Sequence, residues 1–128
     1  MPALAPAGVN ADEVRVRQWP LNFDGEPRRG SGLAIDRSGN RWVGTSAGVH
    51  EVDLASGKLR NTFTRKEGLA NEYVFAVGLD RDGHKWFGTN AGGASRYKDG
   101  KWKTFFPMHG LADYWIYTFA SQRNGDLW

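Results

Sequence analysis

The chain carries DRSGNRWVGT at residues 36–45 and DRDGHKWFGT at residues 80–89, two copies of a pattern that runs from an Asp through a Gly to a Trp and a final Gly-Thr pair. The pattern begins a third time as QRNGDLW at residues 122–128. The tryptophans of successive copies lie 44 and 42 residues apart. Such a regular interval indicates a structural repeat.

Two further markers keep the same interval. EGLAN at residues 67–71 returns as HGLAD at residues 109–113, and GKL at residues 57–59 returns as GKW at residues 100–102. Three separate landmarks that share one period establish the repeat before any secondary structure is assigned.

Within one unit the sequence predicts four short strands joined by turns. Residues 74–80 are rich in β-forming residues and predict an inner strand, and the strands predicted after it are residues 85–89, 94–98 and 101–106. Asp-Gly and Ser-Gly pairs supply the hairpin turns. A helical repeat is excluded, because Gly or a turn dipeptide interrupts the chain too often for helical periodicity. We therefore predict an all-β fold of β-propeller blades, each a four-stranded antiparallel sheet.

The repeat also predicts the domain organisation. Residues 1–13 are expected to be a flexible extension, and residues 14–128 a partial β-propeller with units at about 32–73, 74–115 and 116–128, the last one truncated. Residues 14–19 alternate like the outer strand of a preceding blade, so we expect two complete blades with a partial blade at each end. Closed propellers have about four to eight blades. The missing blades are expected from a longer chain, from self-association or from a partner.

Composition excludes several classes of protein and site. The chain has 17 Gly and 13% aromatic residues but no Cys, which excludes disulfides, thiolate metal sites and a Cys nucleophile. No apolar run is long enough for a membrane segment, and the first ten residues do not read as a signal peptide. The net charge of +3 does not call for a nucleic-acid partner.

The repeat resembles the two-component regulator propeller repeat over about residues 32–128. The second unit carries most of that family's pattern, at Asp80, Gly83, Trp86, Gly88, Thr89, Arg96, Tyr97, Trp102, Phe105 or Phe106, Gly110 and Leu111. The sequence departs from the pattern at Gln122, which replaces the Asp of the third unit. It departs again at His50-Glu51, which stands where the second unit has Ser95-Arg96.

The resemblance implies a non-enzymatic, ligand-sensing module of bacterial signal transduction, periplasmic or extracellular, with a small molecule such as a carbohydrate as ligand and no cofactor. Two alternatives remain open from the sequence. The chain could be a scaffold subunit that completes a propeller ring with copies of itself or with a partner chain. It could also be a streptogramin-lyase-like propeller enzyme, although the catalytic His motif of that family is not visible.

Propeller geometry selects the candidate binding residues. The loop that enters each inner strand and the loop between the second and third strands should open on one face of the propeller. Aromatic side chains beside amides and carboxylates there are typical of ligand recognition by stacking and hydrogen bonding. The candidates are Asn71, Tyr73, Asn90, Asp113, Tyr114 and Trp115. The repeated residues Trp42, Trp86, Trp128, Asp36 and Asp80 are assigned to structure, the tryptophans to packing between blades and the aspartates to their hairpin turns.

Other reactive side chains form no recognisable site in the sequence. Asp80 and Asp82 lack the later ligands of a calcium loop, so we predict no metal site. His84 occupies a turn position and is expected to be solvated. No catalytic triad or phosphate-binding glycine loop is present. The cluster of Arg15, Arg17, Arg28 and Arg29 is interpreted as a solvated basic surface.

Overall fold

A computed structural model describes residues 30–128, which form two four-stranded antiparallel sheets in simple chain order. The first sheet contains β1 (Gly30–Ile35), β2 (Asn40–Thr45), β3 (Gly48–Asp53) and β4 (Leu59–Phe63), and the second contains β5 (Val74–Leu79), β6 (Lys85–Thr89), β7 (Ala94–Lys98) and β8 (Lys101–Phe105). The predicted all-β fold and its four-stranded blades are confirmed. The predicted extension, the strand at residues 14–19 and the arginine cluster lie outside the described residues.

The region after β8 differs from the prediction in one respect. A single 3₁₀ turn, Pro107–His109, follows β8. By analogy with β5, the repeat predicts a third inner strand at residues 116–121. That expectation is wrong for the described residues, where this segment makes one isolated bridge, Ser121 to Leu127. Its side chains still pack against the second sheet: a Cβ on Gly88 would lie 2.7 Å from Ile116. No helix within residues 30–128 is long and apolar enough to cross a membrane.

The inner strands of the two sheets lie side by side because glycines allow their backbones to approach. A Cβ on Gly32 of β1 would lie 2.8 Å from the amide nitrogen of Val77 in β5. A Cβ on Gly44, in the Gly-Thr pair of the first repeat, would lie 2.7 Å from the side chain of Val74. Any larger residue at these positions would push the sheets apart.

The threonines of the Gly-Thr pairs hold the turns that follow them. The hydroxyl of Thr45 donates to the carbonyl of Gly48 at 3.1 Å, and that of Thr89 donates to the carbonyl of Gly93 at 2.8 Å. Both threonines are fully buried. The Gly-Thr pair therefore combines close sheet packing with a local hydrogen bond.

An aromatic core fills the space between the two sheets. Trp42 and Phe63 of the first sheet stack at 5.7 Å, and their neighbours across the interface are Phe87, Tyr97 and Trp102 of the second sheet, at ring-centroid distances of 5.1–6.1 Å. Tilted and edge-on aromatic pairs at such distances contribute about 0.5–1.5 kcal/mol each beyond area burial. The repeated tryptophan is therefore a packing residue in the first sheet, as predicted.

Each repeated aspartate ties its hairpin turn to the tryptophan of the next strand. One carboxylate oxygen of Asp36 accepts the backbone N–H groups of Ser38 and Asn40, and the other accepts the indole N–H of Trp42 at 2.8 Å. Asp80 makes the same bond to the indole of Trp86, also at 2.8 Å. The turn hydrogen bonds were predicted, but the bond to the indole was not.

The third repeat lacks this link. Gln122 occupies the position of the aspartate, so no carboxylate is available there for Trp128. The Trp128 side chain is 72% exposed, whereas Trp42 is 2% exposed. The described residues include no later strand that could cover Trp128, so its packing between blades stays a prediction.

We expect Asp36→Ala to lower the free energy of unfolding by about 1–3 kcal/mol, because the buried indole N–H and two backbone N–H groups lose their acceptor. Asp53→Ala is the matched control: Asp53 also accepts a backbone N–H in its turn, from Ser56, but it lies at the surface and holds no tryptophan. Urea unfolding of both variants measures the difference. Equal losses would contradict a special role for the indole bond.

The free energy of unfolding should decrease at low pH, because Asp36 and Asp80 become protonated there. Burial raises the pKa of Asp36 and of Asp80, but hydrogen bonds, led by those from Trp42 and Trp86, outweigh it, so both pKa values lie below the ordinary 3.8. A carboxyl with a depressed pKa in the folded state stabilises the fold above its unfolded pKa, and this stabilisation is lost as the pH falls through the folded pKa. We expect the free energy of unfolding to decrease below about pH 4. The decrease should be smaller in Asp36→Asn, and an unchanged pH profile in that variant would contradict the assignment.

Candidate ligand-binding face

Loops from both sheets meet at the end of the molecule where β5 begins. The backbone N–H of Gly48, after the β2–β3 turn, donates to the carbonyl of Glu72, just before β5, at 2.7 Å. One repeat later, the N–H of Gly93 donates to the carbonyl of Tyr114 at 2.8 Å. The loop that enters each inner strand is therefore bonded to the turn between the second and third strands of the preceding sheet. This places the two kinds of loop on one face, as the propeller geometry predicted.

The loop before β5 is held by its own polar residues and by the second sheet. The carboxylate of Glu67 accepts the backbone N–H and the hydroxyl of Thr64, and these hydrogen bonds lower the pKa of Glu67. Leu69 is buried in the core, and the N–H of Ala70 donates to the buried hydroxyl of Ser95 at 2.9 Å. The repeated EGLAN motif thus anchors a loop and leaves the residues after it at the surface.

Four aromatic side chains at this face form a continuous surface that we call the aromatic strip: Tyr73, Phe75, Trp115 and Tyr117. Ring centroids are 5.2 Å apart for Tyr73 and Phe75, 5.4 Å for Phe75 and Tyr117, 6.3 Å for Phe75 and Trp115, and 6.4 Å for Trp115 and Tyr117. The rings of Phe75, Trp115 and Tyr117 lie within 25° of parallel to one another. Tyr73, Trp115 and Tyr117 are 41%, 43% and 67% exposed. The strip is a stacked, solvent-facing platform.

An irregularity in the inner strand places Phe75 in the strip. The pairing of β5 with β6 shifts register between Val74 and Ala76, so Phe75 has no partner across the strand pair. The residue at an irregularity of this kind leaves the regular alternation of faces. The same shift occurs in β1 between Gly30 and Gly32. The sequence prediction missed Phe75 and Tyr117, although aromatic residues 42 positions apart in a repeat are a signal that could have found them.

The structure separates the six predicted site residues into three groups. Tyr73 and Trp115 belong to the aromatic strip. Asn71 and Asn90 lie beside Tyr73 of the strip: the side chain of Asn71 accepts the backbone N–H of Tyr73 at 2.8 Å, and the backbone N–H of Asn90 donates to the carbonyl of Tyr73 at 2.9 Å.

The remaining two residues lie in the loop before Trp115. Asp113 accepts the backbone N–H of Tyr114, and the ring of Tyr114 packs on Phe106 at 6.0 Å rather than on the strip. Asn71 likewise accepts the N–H of Tyr73, at 2.8 Å, so both Asn71 and Asp113 hold their loops as well as lying at this face.

A cleft of about 460 Å³ lies at the opposite end of the inner strands, between the hairpin turns. Asp36 and Asp80 line it, but their carboxylates already accept the turn and indole hydrogen bonds. Arg81, also in the lining, crosses to the next turn and donates to the carbonyl of Asn124 at 2.8 Å. The polar groups of this cleft therefore serve mainly to join successive turns.

The histidines occupy separate environments. His84 was expected to be solvated, but its side chain is only 23% exposed and its Nδ1 lies 2.9 Å from the carboxylate of Asp80. Asp80, Asp82 and His84 present ligand atoms within 4.8 Å of one another, but both oxygens of Asp80 already accept hydrogen bonds, and we assign no ion to this turn. His50 is buried between the hydroxyls of Thr45 and Thr62.

We expect Gly92→Ala to disturb the face, because the new Cβ would lie 2.7 Å from the hydroxyl of Thr89 and 2.9 Å from Asn71. The expected loss is about 1–3 kcal/mol of unfolding free energy, with amide chemical-shift changes at residues 70–73. Ala91→Gly, in the same turn, is the opposite control: Ala91 has φ of 56°, so glycine relieves strain there. If both variants behave alike, the close contact of Gly92 with the loop is not as described.

The chain matches no protein-family model. No curated protein matches its sequence. Solved structures do match. An extracellular domain of a hybrid two-component system from B. thetaiotaomicron aligns with 89% of the chain at 26% identity and a TM-score of 0.74.

Two further structures share the fold at lower identity. The extracellular domain of a second hybrid two-component system from B. thetaiotaomicron aligns with 77% of the chain at 17% identity and a TM-score of 0.67. A catalytically inactive virginiamycin B lyase from Staphylococcus aureus, solved with quinupristin, aligns with 86% at 22% identity and a TM-score of 0.61. The chain spans 16% and 15% of the two sensor-system proteins and 37% of the lyase.

The comparison with the first of these structures agrees with the repeat pattern of the sequence. That structure is an extracellular domain of a hybrid two-component system, and the alignment covers 89% of the chain. The landmarks that define the repeat, from Asp80 to Leu111, are the residues that build the second sheet and the loops on either side of it. The described sheets are blades of a β-propeller, similar in structure to the extracellular domain of a two-component system.

Proposed function

We propose that the chain is a ligand-sensing module and that the aromatic strip is its binding surface. The observation that carries the proposal is the exposure of three stacked or neighbouring rings, Tyr73, Trp115 and Tyr117, around the half-buried Phe75. Exposed aromatic groups of this extent are unfavourable in water and are typical of surfaces that bind a partner or a ligand. The similarity to extracellular domains of two-component systems supports a sensing role.

The chemistry of the strip favours a carbohydrate ligand. Nearly parallel aromatic rings offer apolar faces on which a sugar ring can stack, while amides at the border offer hydrogen bonds to hydroxyl groups. Asn71 and Asn90 supply such amides, and the strip itself carries no charge. A neutral oligosaccharide matches these features better than a charged metabolite.

We infer a binding role rather than catalysis. Among the described residues, His50, His84 and His109 lie on β3, in the β5–β6 turn and in the 3₁₀ turn, and none of them faces the aromatic strip with an acidic partner. The likeness to virginiamycin B lyase lies in the fold, at 22% identity. The proposed location is extracellular or periplasmic, by similarity to the extracellular domains. The proposed sensor acts together with further blades, since closed propellers have about four to eight.

The proposal predicts that Trp115→Ala and Tyr117→Ala weaken binding of a neutral oligosaccharide. Loss of one stacked ring should reduce affinity about two- to tenfold. The probes are cellohexaose and maltohexaose, tested against the full chain by titration calorimetry. Tyr114→Ala should have a smaller effect, because Tyr114 packs on Phe106 outside the strip.

Met108→Ala is the matched control, since Met108 is an apolar residue that is 80% exposed and lies away from the strip. Its affinity should equal that of the unaltered chain. Binding that survives both Trp115→Ala and Tyr117→Ala unchanged, or that falls equally in Met108→Ala, would contradict the assignment of the strip.

A further inference from the structure

A second surface with a distinct chemistry lies on the outer hairpin of the second sheet. Four cations, Arg96 and Lys98 of β7 and Lys101 and Lys103 of β8, line a groove of about 310 Å³. Its other lining residues are His84, Asp99 and Trp102. We call this surface the basic groove. It belongs to neither the aromatic strip nor the cleft between the turns.

The strand register brings like charges together in the basic groove. Arg96 lies directly opposite Lys103, and Lys98 directly opposite Lys101. Like charges at paired positions of an antiparallel ladder are destabilising. Within the described residues none of the four forms an ion pair with a carboxylate. The groove therefore holds a concentration of positive charge that the fold itself does not neutralise.

The first sheet provides an internal control for this charge. By strand register, Glu51, Asp53 and Asn61 of the first sheet occupy the positions of Arg96, Lys98 and Lys103 in the second. Both sheets adopt the same fold, with the same tryptophan and the same paired strands. The blade thus accepts acidic or neutral residues at these positions, and the basic residues are not required for folding.

The groove also includes a free strand edge. β8 is the last strand of its sheet, and within the described residues no other strand pairs with its outer side. On this edge strand the residues Lys101 and Lys103 are exposed to solvent. The matching residues of the first sheet, Lys58 and Asn61, are exposed even though the second sheet packs against the first. A further blade packed in the same way would therefore leave this edge accessible.

Lysines on an edge strand commonly prevent unwanted pairing with another copy. That role accounts for Lys101 and Lys103. Arg96 and Lys98 lie inside the sheet on β7, where Arg96 covers two rings and Lys98 donates to the backbone carbonyl of Asp82 at 2.7 Å. Neither contact involves a carboxylate, so both residues add their charge to that of the edge. The same four cations that repel a second copy of this edge attract a strand of opposite charge. Side chains on one face of a strand repeat every second residue, about 7 Å apart, in both the edge and an added strand.

We propose that the basic groove binds an extended acidic peptide segment of a partner protein, which adds to the outer edge of β8 with carboxylates at alternate residues. The backbone of the segment pairs with β8, and its carboxylates face Lys101 and Lys103, with Arg96 and Lys98 behind them. In strand addition of this kind, backbone hydrogen bonds provide the affinity and every second side chain provides the specificity. The proposal does not depend on the aromatic strip.

The charge alone would also attract a nucleic acid, but the rings of the hairpin argue against that partner. Single-stranded nucleic acids use open aromatic faces for base stacking. Here Arg96 lies over both Trp86 and Phe105, and Lys103 lies over Phe105, at 5.0–5.6 Å from the ring centroids. These faces are already covered by the cations of the groove.

The test uses the full chain and a synthetic peptide of the length of β8 in which Glu alternates with Thr. We expect saturable binding that weakens with salt, together with slower amide hydrogen exchange at the residues of β8. The same peptide with Gln in place of Glu should bind at least about tenfold more weakly. A single-stranded oligonucleotide and dextran sulfate serve as polyanions that cannot add a strand.

The decisive variant replaces Lys98 and Lys103 by the residues of the first sheet, Lys98→Asp with Lys103→Asn, because that sheet folds with those residues. We expect at least about tenfold weaker peptide binding. The thermal unfolding transition should fall only slightly, because the variant loses the surface contacts of Lys98 with the carbonyl of Asp82 and of Lys103 with Phe105. Lys58→Asp with Lys66→Asn makes the same change in net charge at exposed positions outside the groove and should leave binding unchanged within about twofold.

The proposal would be overturned by absence of binding at low salt, by equal losses in the two double variants, or by binding without protection of the β8 amides. Tighter binding of the oligonucleotide than of the acidic peptide would also overturn it, in favour of a nucleic-acid surface. Because the aromatic strip is intact in every variant, oligosaccharide binding measured in parallel separates a failure of this proposal from a failure of the sensing role.

Discussion

The hydrogen bond from a tryptophan indole to the aspartate six residues before it is the interaction on which each sheet depends. One carboxylate closes the first hairpin through two backbone N–H groups and at the same time fixes the indole of Trp42 or Trp86 on the second strand. Trp42 then carries the stack between the sheets, with Phe63 on its own sheet and Phe87 and Tyr97 on the next. Local turn and long-range packing therefore share one acceptor. In the third repeat, Gln122 takes the place of this aspartate.

The sequence was sufficient for the fold because each landmark has a local physical meaning. The Asp-x-x-Gly turn, the Gly that admits the neighbouring strand and the Thr that bonds the next turn can each be read from residue type and spacing. The indole bond could not, since it depends on the relative position of two strands. The same limit explains why the contact of His84 with Asp80 was not predicted, since it arises from the shape of the turn. It also explains the wrong prediction for residues 116–121, because a strand needs pairing partners as well as β-forming residues.

The candidate site was predicted only in part, and for a related reason. Tyr73 and Trp115 were found because they lie in loops where a propeller exposes side chains. Phe75 and Tyr117 lie in or beside inner strands, where regular alternation gives no warning of exposure. The register shift at Phe75 turns that residue toward the loops, and such a shift reflects strand pairing rather than the identity of a single residue. Asn71 and Asp113 were predicted as binding residues because of their residue type. In the structure each side chain also accepts a backbone N–H of its own loop.

The two sheets together separate what the fold requires from what it leaves free. Trp, Gly and Thr recur at matching places because each fills a position that other residues would disturb. In contrast, the charge of the outer hairpin reverses from Glu51 and Asp53 to Arg96 and Lys98 with no change in strand order. The aromatic strip follows the same logic, since the position of Phe75 and Tyr117 is occupied by Ser31 in the first sheet. Because the strip combines rings from two successive units, its geometry depends on the packing of Phe119 against Gly78 and of Ile116 against Gly88. A ligand stacked on the strip would therefore contact a surface whose shape is set by the junction between units, and its binding energy would act on that junction.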